Sequence, residues 1–144
     1  MKFNNLVKSF VTALVCLIIL SCSDDQTTSP ITPPPGNSNA PMAKFSDIQV
    51  KVFNSCAVAG CHSAASNQGN LTLTSGQSYS NLVNVQSVLF PSFKRVLPGD
   101  DGQSLLIKIL KGDVNPRMPL NSTPLSNDVI DSIKAWINRG ALNN

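Results

Sequence analysis

The sequence predicts a small domain of packed helices over residues 43–144, and three observations carry that expectation. Apolar residues recur at helical spacing in three places: Phe45, Ile48, Val52 and Phe53; Leu105, Leu106, Ile109 and Leu110; and Val129, Ile133, Trp136 and Ile137. Start and stop signals bracket those stretches. Ser46-Asp47 opens the first, Ser104 and Gly112 bound the second, and Ser126, Asp128 and Arg139-Gly140 bound the third. Strong turn punctuation, Pro98-Gly99-Asp100-Asp101-Gly102, falls between these stretches and not inside them.

Upstream of the domain, the chain reads as an export and anchoring segment. Met1 to Lys8 carries two lysines and no acid, and an apolar run from Phe10 to Leu20 follows, broken only by Thr12. A basic start and a short apolar run form the pattern of a secretory signal, and the run is short for a permanent membrane span. It ends Ile19-Leu20-Ser21-Cys22, which resembles the lipobox of bacterial lipoproteins. That resemblance implies a signal peptide at 1–21, a lipid on Cys22, and anchoring to a bacterial membrane, the outer membrane on its periplasmic or cell-surface face. A plain signal peptide or an uncleaved anchor are the alternatives. Ser23 to Pro41 is rich in Ser, Thr, Asn and Pro, so residues 22–42 read as a flexible tether. Fully extended, it reaches roughly 60 Å at about 3.1 Å per residue. Ser23-Asp24-Asp25 resembles the acidic tract after the lipidated cysteine of surface-exported lipoproteins in Bacteroidetes.

The first predicted helix runs into Asn54-Ser55-Cys56, and the chemistry begins at its C-terminal end with Cys56-Ala57-Val58-Ala59-Gly60-Cys61-His62. Two thiols followed by an imidazole can hold haem. Each thiol adds to one vinyl group, and the adjacent histidine becomes the proximal iron ligand. The familiar motif leaves two residues between the cysteines; this one leaves four, all small or apolar, which suits a loop folded beside an apolar macrocycle. Gly60 permits a positive φ where that loop returns to Cys61. His62 is the sole histidine. Two other chemistries use the same residues: a Cys56–Cys61 disulfide, or three ligands of a zinc site, for which no second cluster offers a fourth at normal spacing. Cysteine usage suits export, since Cys16 leaves with the signal peptide and Cys22 takes the lipid, leaving Cys56 and Cys61 as a pair.

Ser63 to Ser78 reads as loop, with Leu71 and Leu73 alternating with Thr72 and Thr74 in a short extended piece that lays its leucines inward. Tyr79, Leu82 and Val83 suggest a short helix. Lys94-Arg95 is the only adjacent basic pair, and it reads first as a solvated surface pair. Pairing with haem propionates, or a docking patch, are its other uses. Asp100 and Asp101 lack the ligand spacing of a calcium loop and read as a turn. Asn115-Pro116-Arg117-Met118-Pro119-Leu120 places a methionine between helix breakers, where helical core packing explains it poorly. A thioether on a loop suits the distal side of a haem, and His/Met ligation suits electron transfer. Met1 is removed and Met42 ends the tether, which leaves Met118; its other reading is a gap-filling hydrophobe.

The last helix has Leu125 placed to staple to Ile130 and is expected to pack across the first, with Trp136 near the haem as ordinary core. From Cys22 onward there are nine Lys/Arg against eight Asp and no Glu, so the formal +3 of the whole chain falls to +1. That balance predicts no nucleic-acid footprint. With no Glu, no Gly-rich phosphate loop and no forced Ser/His/Asp set, hydrolase and kinase chemistry are not expected. A domain of roughly 100 residues is marginal on buried area alone, and a covalent cofactor in its core would offset that.

In this order, Cys-x4-Cys-His at 56–62, Val96-Leu-Pro-Gly-Asp100 followed by Ser104-Leu-Leu106, Met118-Pro119, and Leu125-Ser126 leading to Trp136-Ile137 and Gly140-Ala141 resemble the class I c-type cytochrome domain. The resemblance covers Phe45 to Ala141 and is greatest to the divergent set in secreted proteins of planctomycetes and Bacteroidetes. It implies an all-α, cytochrome c-like fold around one covalent haem c, with Cys56 and Cys61 as the attachment points, His62 proximal and Met118 distal. Leu71, Arg95, Pro98 and Trp136 are the expected pocket residues. The implied function is electron transfer with no bond chemistry on a small-molecule substrate, hence no enzyme activity, and with redox partner proteins. A haem peroxidase or ligand sensor with a displaceable Met118, and a haem-free tethered scaffold with a Cys56–Cys61 disulfide, are the competing expectations.

Overall fold

A computed structural model describes residues 44–144; the predicted signal peptide, Cys16, Cys22, the tether and Met42 lie outside the described residues. Within them the protein is helical, with three isolated β-bridges and no strand. The elements in order are α1 (Phe45–Ile48), a π-helical stretch (Gln49–Phe53), α2 (Asn54–Cys56), a 3₁₀ turn (Gln68–Asn70), α3 (Ser78–Leu82), α4 (Leu105–Lys111) and α5 (Asn127–Asn138). Among the described residues no helix is long and apolar enough to cross a membrane.

The first three elements form one uninterrupted helical rod that ends at Cys56. Phe45, Ile48, Val52 and Phe53 are all buried, as their spacing predicts. Its start differs from the expected Ser46 cap. Lys44 is the cap position and supplies no side-chain bond. The open amides are met from far along the chain: Phe45 N–H donates to Asn144 Oδ1 at 3.0 Å and Ser46 N–H to the Asn144 carbonyl at 2.9 Å. Those bonds satisfy the orphan donors a helix start always leaves. The π-helical stretch goes with a buried Gln49, whose amide donates to Asn54 Oδ1 at 2.9 Å and the Leu73 carbonyl at 3.0 Å and accepts from the Ser78 hydroxyl. A buried amide is tolerable only when so satisfied.

Phe45 is the hub of the core. Its ring centroid lies 5.2 Å from Tyr79, 5.4 Å from Trp136 and 6.1 Å from Phe53, so one aromatic group joins the rod to α3 and α5. The predicted meeting of first and last helices occurs at the Phe45–Trp136 pair. Trp136 is 2% exposed, and its indole N–H donates to the Leu142 carbonyl at 2.8 Å. The Tyr79 hydroxyl donates to the Ala141 carbonyl at 2.9 Å, tying α3 to the same turn after α5.

Several elements differ in detail from the sequence reading. Thr72 is buried along with Leu73, while Leu71 is half-buried, so the leucines do not alternate cleanly with outward threonines. In α4 the inward face is Leu105, Ile107 and Leu110, with Leu106 and Ile109 half-buried, a rotation from the expected stripe that follows from packing against α5. Ser104 does stand at the α4 cap position, but its hydroxyl turns away from the helix. It accepts from Leu97 N–H at 2.9 Å and donates to the Asp100 carbonyl at 2.8 Å, closing the Pro98–Gly102 turn. Lys94 and Arg95 are not a solvated pair: Arg95 is 7% exposed.

Candidate functional site

The site is built on the end of the rod. Cys56, its last residue, is half-buried against the core, and its thiol reaches the Val52 carbonyl at 3.5 Å. The chain then folds into a closed loop. Cys61 N–H donates to the Val58 carbonyl at 3.1 Å, Gly60 takes φ +80° as the return to Cys61 requires, and its N–H donates to Ser66 Oγ at 2.8 Å. His62 N–H donates back to the Cys56 carbonyl at 3.1 Å. The longer gap is thereby closed as a self-contained turn that brings the His62 backbone beside Cys56.

The two cysteines are free thiols with different surroundings, Cys56 half-buried and Cys61 exposed. Burial pushes the Cys56 thiol above its ordinary pKa, and the neighbouring Cys61 adds to this, while a hydrogen bond with Ser55 works against it. The thiolate is the reactive form. In reduced, haem-free protein, the exposed Cys61 is therefore expected to alkylate faster than the half-buried Cys56 near neutral pH, the gap narrowing as pH rises. Peptide mass spectrometry after timed iodoacetamide treatment reads this directly; equal rates would contradict the burial of Cys56.

His62 is held by backbone carbonyls. Its Nδ1 lies 3.0 Å from the Gln68 oxygen and 3.3 Å from the Leu71 oxygen. Carbonyls only accept, so the bond network assigns the proton of the neutral ring to Nδ1 and leaves the lone pair on Nε2. A ligating histidine is typically oriented in this way, through its other nitrogen. The residues that do this, Gln68 and Leu71, lie in the 3₁₀ turn and just after it. Leu71, expected among the pocket residues, faces His62 through its carbonyl. Gln68 had no sequence signal.

Met118 is half-buried against the same core cluster that receives Cys56 and Leu71. Its N–H donates to the Ile109 carbonyl at 3.1 Å, which pins the loop to α4. The peptide bonds Asn115–Pro116 and Met118–Pro119 are both cis. Arg117 lies over Gly112, the αL residue closing α4 at φ +84°, so closely that a Cβ there would stand 3.1 Å from Arg117 Cδ. Gly112→Ala is expected to cost about 1–2 kcal/mol from the left-handed backbone, with the crowding of Arg117 adding to it. Urea denaturation checks this, and an unchanged midpoint would contradict it.

Arg117 Nη2 donates to the Ser122 carbonyl at 3.0 Å, while Nη1 is buried without an acceptor. An open polar concavity of about 750 Å³ adjoins this loop, lined by Asn115, Pro116, Arg117, Leu120, Asn121, Ser122 and Thr123. The cysteines and His62 lie outside it. Of the other expected pocket residues, Pro98 sits in the turn that docks on α5 through Gly99 N–H to the Ile137 carbonyl at 2.8 Å. Trp136 is core with its N–H already engaged. Arg95 directs its guanidinium at three backbone carbonyls.

Among the described residues no three His, Cys, Asp or Glu side chains converge as a zinc site requires. Haem asks for something else: thiols apart at the ring edge, an oriented imidazole on one face, and a soft ligand on the other. Cys56, Cys61, His62 and Met118 supply those chemical types, and the buried Arg117 Nη1 is a donor of the kind a propionate would engage. In comparisons with known proteins, the chain matches no family model, no curated protein and no solved structure.

Proposed function

We propose that this chain is an electron-transfer lipoprotein carrying one haem c, attached through Cys56 and Cys61 and ligated by His62 and Met118. The observation that carries the reading is the seating of His62: Nδ1 is held by the Gln68 and Leu71 carbonyls, and the ring sits at the close of a loop that starts at Cys56. That arrangement frees Nε2 to act as a ligand and fixes its direction. When bound, the haem supplies one-electron Fe(III)/Fe(II) chemistry. The chain's own residues bind it, orient the axial donors and limit solvent access. Met118 is suited to stay in place, because its backbone is tied to Ile109. Were His62 and Met118 both to ligate a bound haem iron, no coordination position would remain for a substrate, so no enzyme activity is proposed. Redox partner proteins exchange the electron, and a lipid on Cys22 holds the domain at the outer membrane.

A peroxidase-activity haem stain on a denaturing gel tests this, using protein from a host that matures c-type cytochromes. The native chain is expected to stain and Cys61→Ser to lose most of the signal. No stain in the native chain would favour a haem-free scaffold.

A further inference from the structure

Four consecutive carbonyls in the turn after the cysteine loop are divided between two side chains. Those of Gln68 and Leu71 face His62 Nδ1 at 3.0 and 3.3 Å. Those of Gly69 and Asn70, between them, accept from Arg95 Nη2 at 3.1 and 2.8 Å. The other arm, Nη1, donates to the Asn81 carbonyl at 2.8 Å at the end of α3. We infer that Arg95 is a positioning residue for His62, acting through the 68–71 turn and not as a surface charge or a propionate partner.

Three physical points support this. First, the turn needs a brace. Gly69 and Asn70 stand at φ +65° and +56°, and Asn67 at +28°, so the segment holds two non-glycine residues in left-handed backbone. Charge-assisted bonds to its inner carbonyls fix two peptide planes, and the planes on either side present oxygens to the imidazole. Second, the brace is itself anchored. Arg95 N–H donates to the Val85 carbonyl at 2.8 Å, and its carbonyl accepts from Leu106 N–H at 2.9 Å, so its backbone is fixed to the 84–96 loop and to the first turn of α4. Third, Arg95 is only 7% exposed, and its guanidinium donates to the backbone carbonyls of Gly69, Asn70 and Asn81. A planar guanidinium with donors on both arms can serve three carbonyls at once; a lysine cannot reproduce that geometry.

The consequence for the haem reading, on which the functional meaning rests, is that Arg95 governs where Nε2 of His62 points. The test is made on purified full-length chain in the reduced state, by following the His62 Nδ1–H resonance and its exchange with solvent in nitrogen-15-labelled protein. The native chain is expected to show a slowly exchanging Nδ1–H. In Arg95→Gln that proton is expected to exchange about tenfold faster or to vanish, consistent with loss of a charged hydrogen-bonded brace. Arg95→Lys should fall between the two and also serves if the glutamine variant folds poorly. Ile133→Val, a core variant on α5, controls for lowered stability and should leave the proton protected. Native-like protection in Arg95→Gln and Arg95→Lys would overturn the inference, as would equal release in Ile133→Val. The two readings fail separately: a colourless chain whose Nδ1–H still answers to Arg95 removes the haem and keeps the brace, whereas a coloured chain indifferent to Arg95 does the reverse.

Discussion

Truncating Trp136 to alanine is expected to cost about 3–5 kcal/mol, the usual range for removing a large aromatic from a core. Trp136 is 2% exposed, packs with its ring centroid 5.4 Å from that of Phe45 at a tilt of 35°, and donates from its indole to the Leu142 carbonyl at 2.8 Å. The change therefore opens a cavity at the junction of the first helix and α5, and orphans the acceptor that ties down the chain after α5. A domain of this size has a total stability on the order of 5–15 kcal/mol, so the variant would sit near the edge of folding. Trp136→Phe keeps most of the packing and should lose far less. Chemical denaturation of the three proteins reads both effects. A Trp136→Ala midpoint close to native would mean the aromatic hub around Phe45 does not hold the fold.

The second large effect concerns Met118. If the native protein carries haem as proposed, added CO is expected to leave the reduced visible spectrum unchanged, because Met118 would occupy the distal side. Met118→Ala should bind CO readily and shift to a lower reduction potential, since loss of methionine ligation removes the contribution that raises it. The backbone bond from Met118 N–H to the Ile109 carbonyl survives the substitution, so the loop should keep its place on α4. Rapid CO binding by the native protein would instead favour the peroxidase or sensor reading, in which Met118 yields its position.

What could be read from the chain alone follows a physical division. Helix interiors and ends were legible where one residue type does one job: Gly112 closes α4 and Gly140 follows α5, both at positive φ, and Ile133, Trp136 and Ile137 are buried as their spacing predicts, while Val129 of the same expected stripe is half-buried and Ile130 is buried instead. Gln49 was not legible as a buried residue, because an amide enters a core only when distant groups satisfy it, here the Leu73 carbonyl and the Ser78 hydroxyl. Arg95 misled for the same reason, since its charge suggested solvent and its partners are carbonyls of residues far back in the sequence. The first helix start misled because its amides are met by Asn144, at the opposite end of the fold.

The candidate site divides in the same way. Cys56, Cys61 and His62 are adjacent in sequence and identified by their own chemistry. The groups that orient His62 are backbone oxygens of Gln68 and Leu71, and a carbonyl carries no residue identity to be recognised. The effect of the four-residue gap was likewise invisible until the His62 N–H to Cys56 carbonyl bond placed the two ends side by side.

The proposed electron-transfer role requires one haem joined covalently to Cys56 and Cys61. The most direct measurement is the intact mass of the full chain, made in a host able to mature c-type cytochromes and extracted with acidified organic solvent before analysis. The expected result is a red protein that keeps its colour through extraction and is heavier by one haem than the same processed, lipid-bearing chain without haem, with Cys56 and Cys61 blocked to alkylation. A colourless chain lighter than the reduced polypeptide by a pair of hydrogen atoms, its two sulfurs joined to each other, would contradict it.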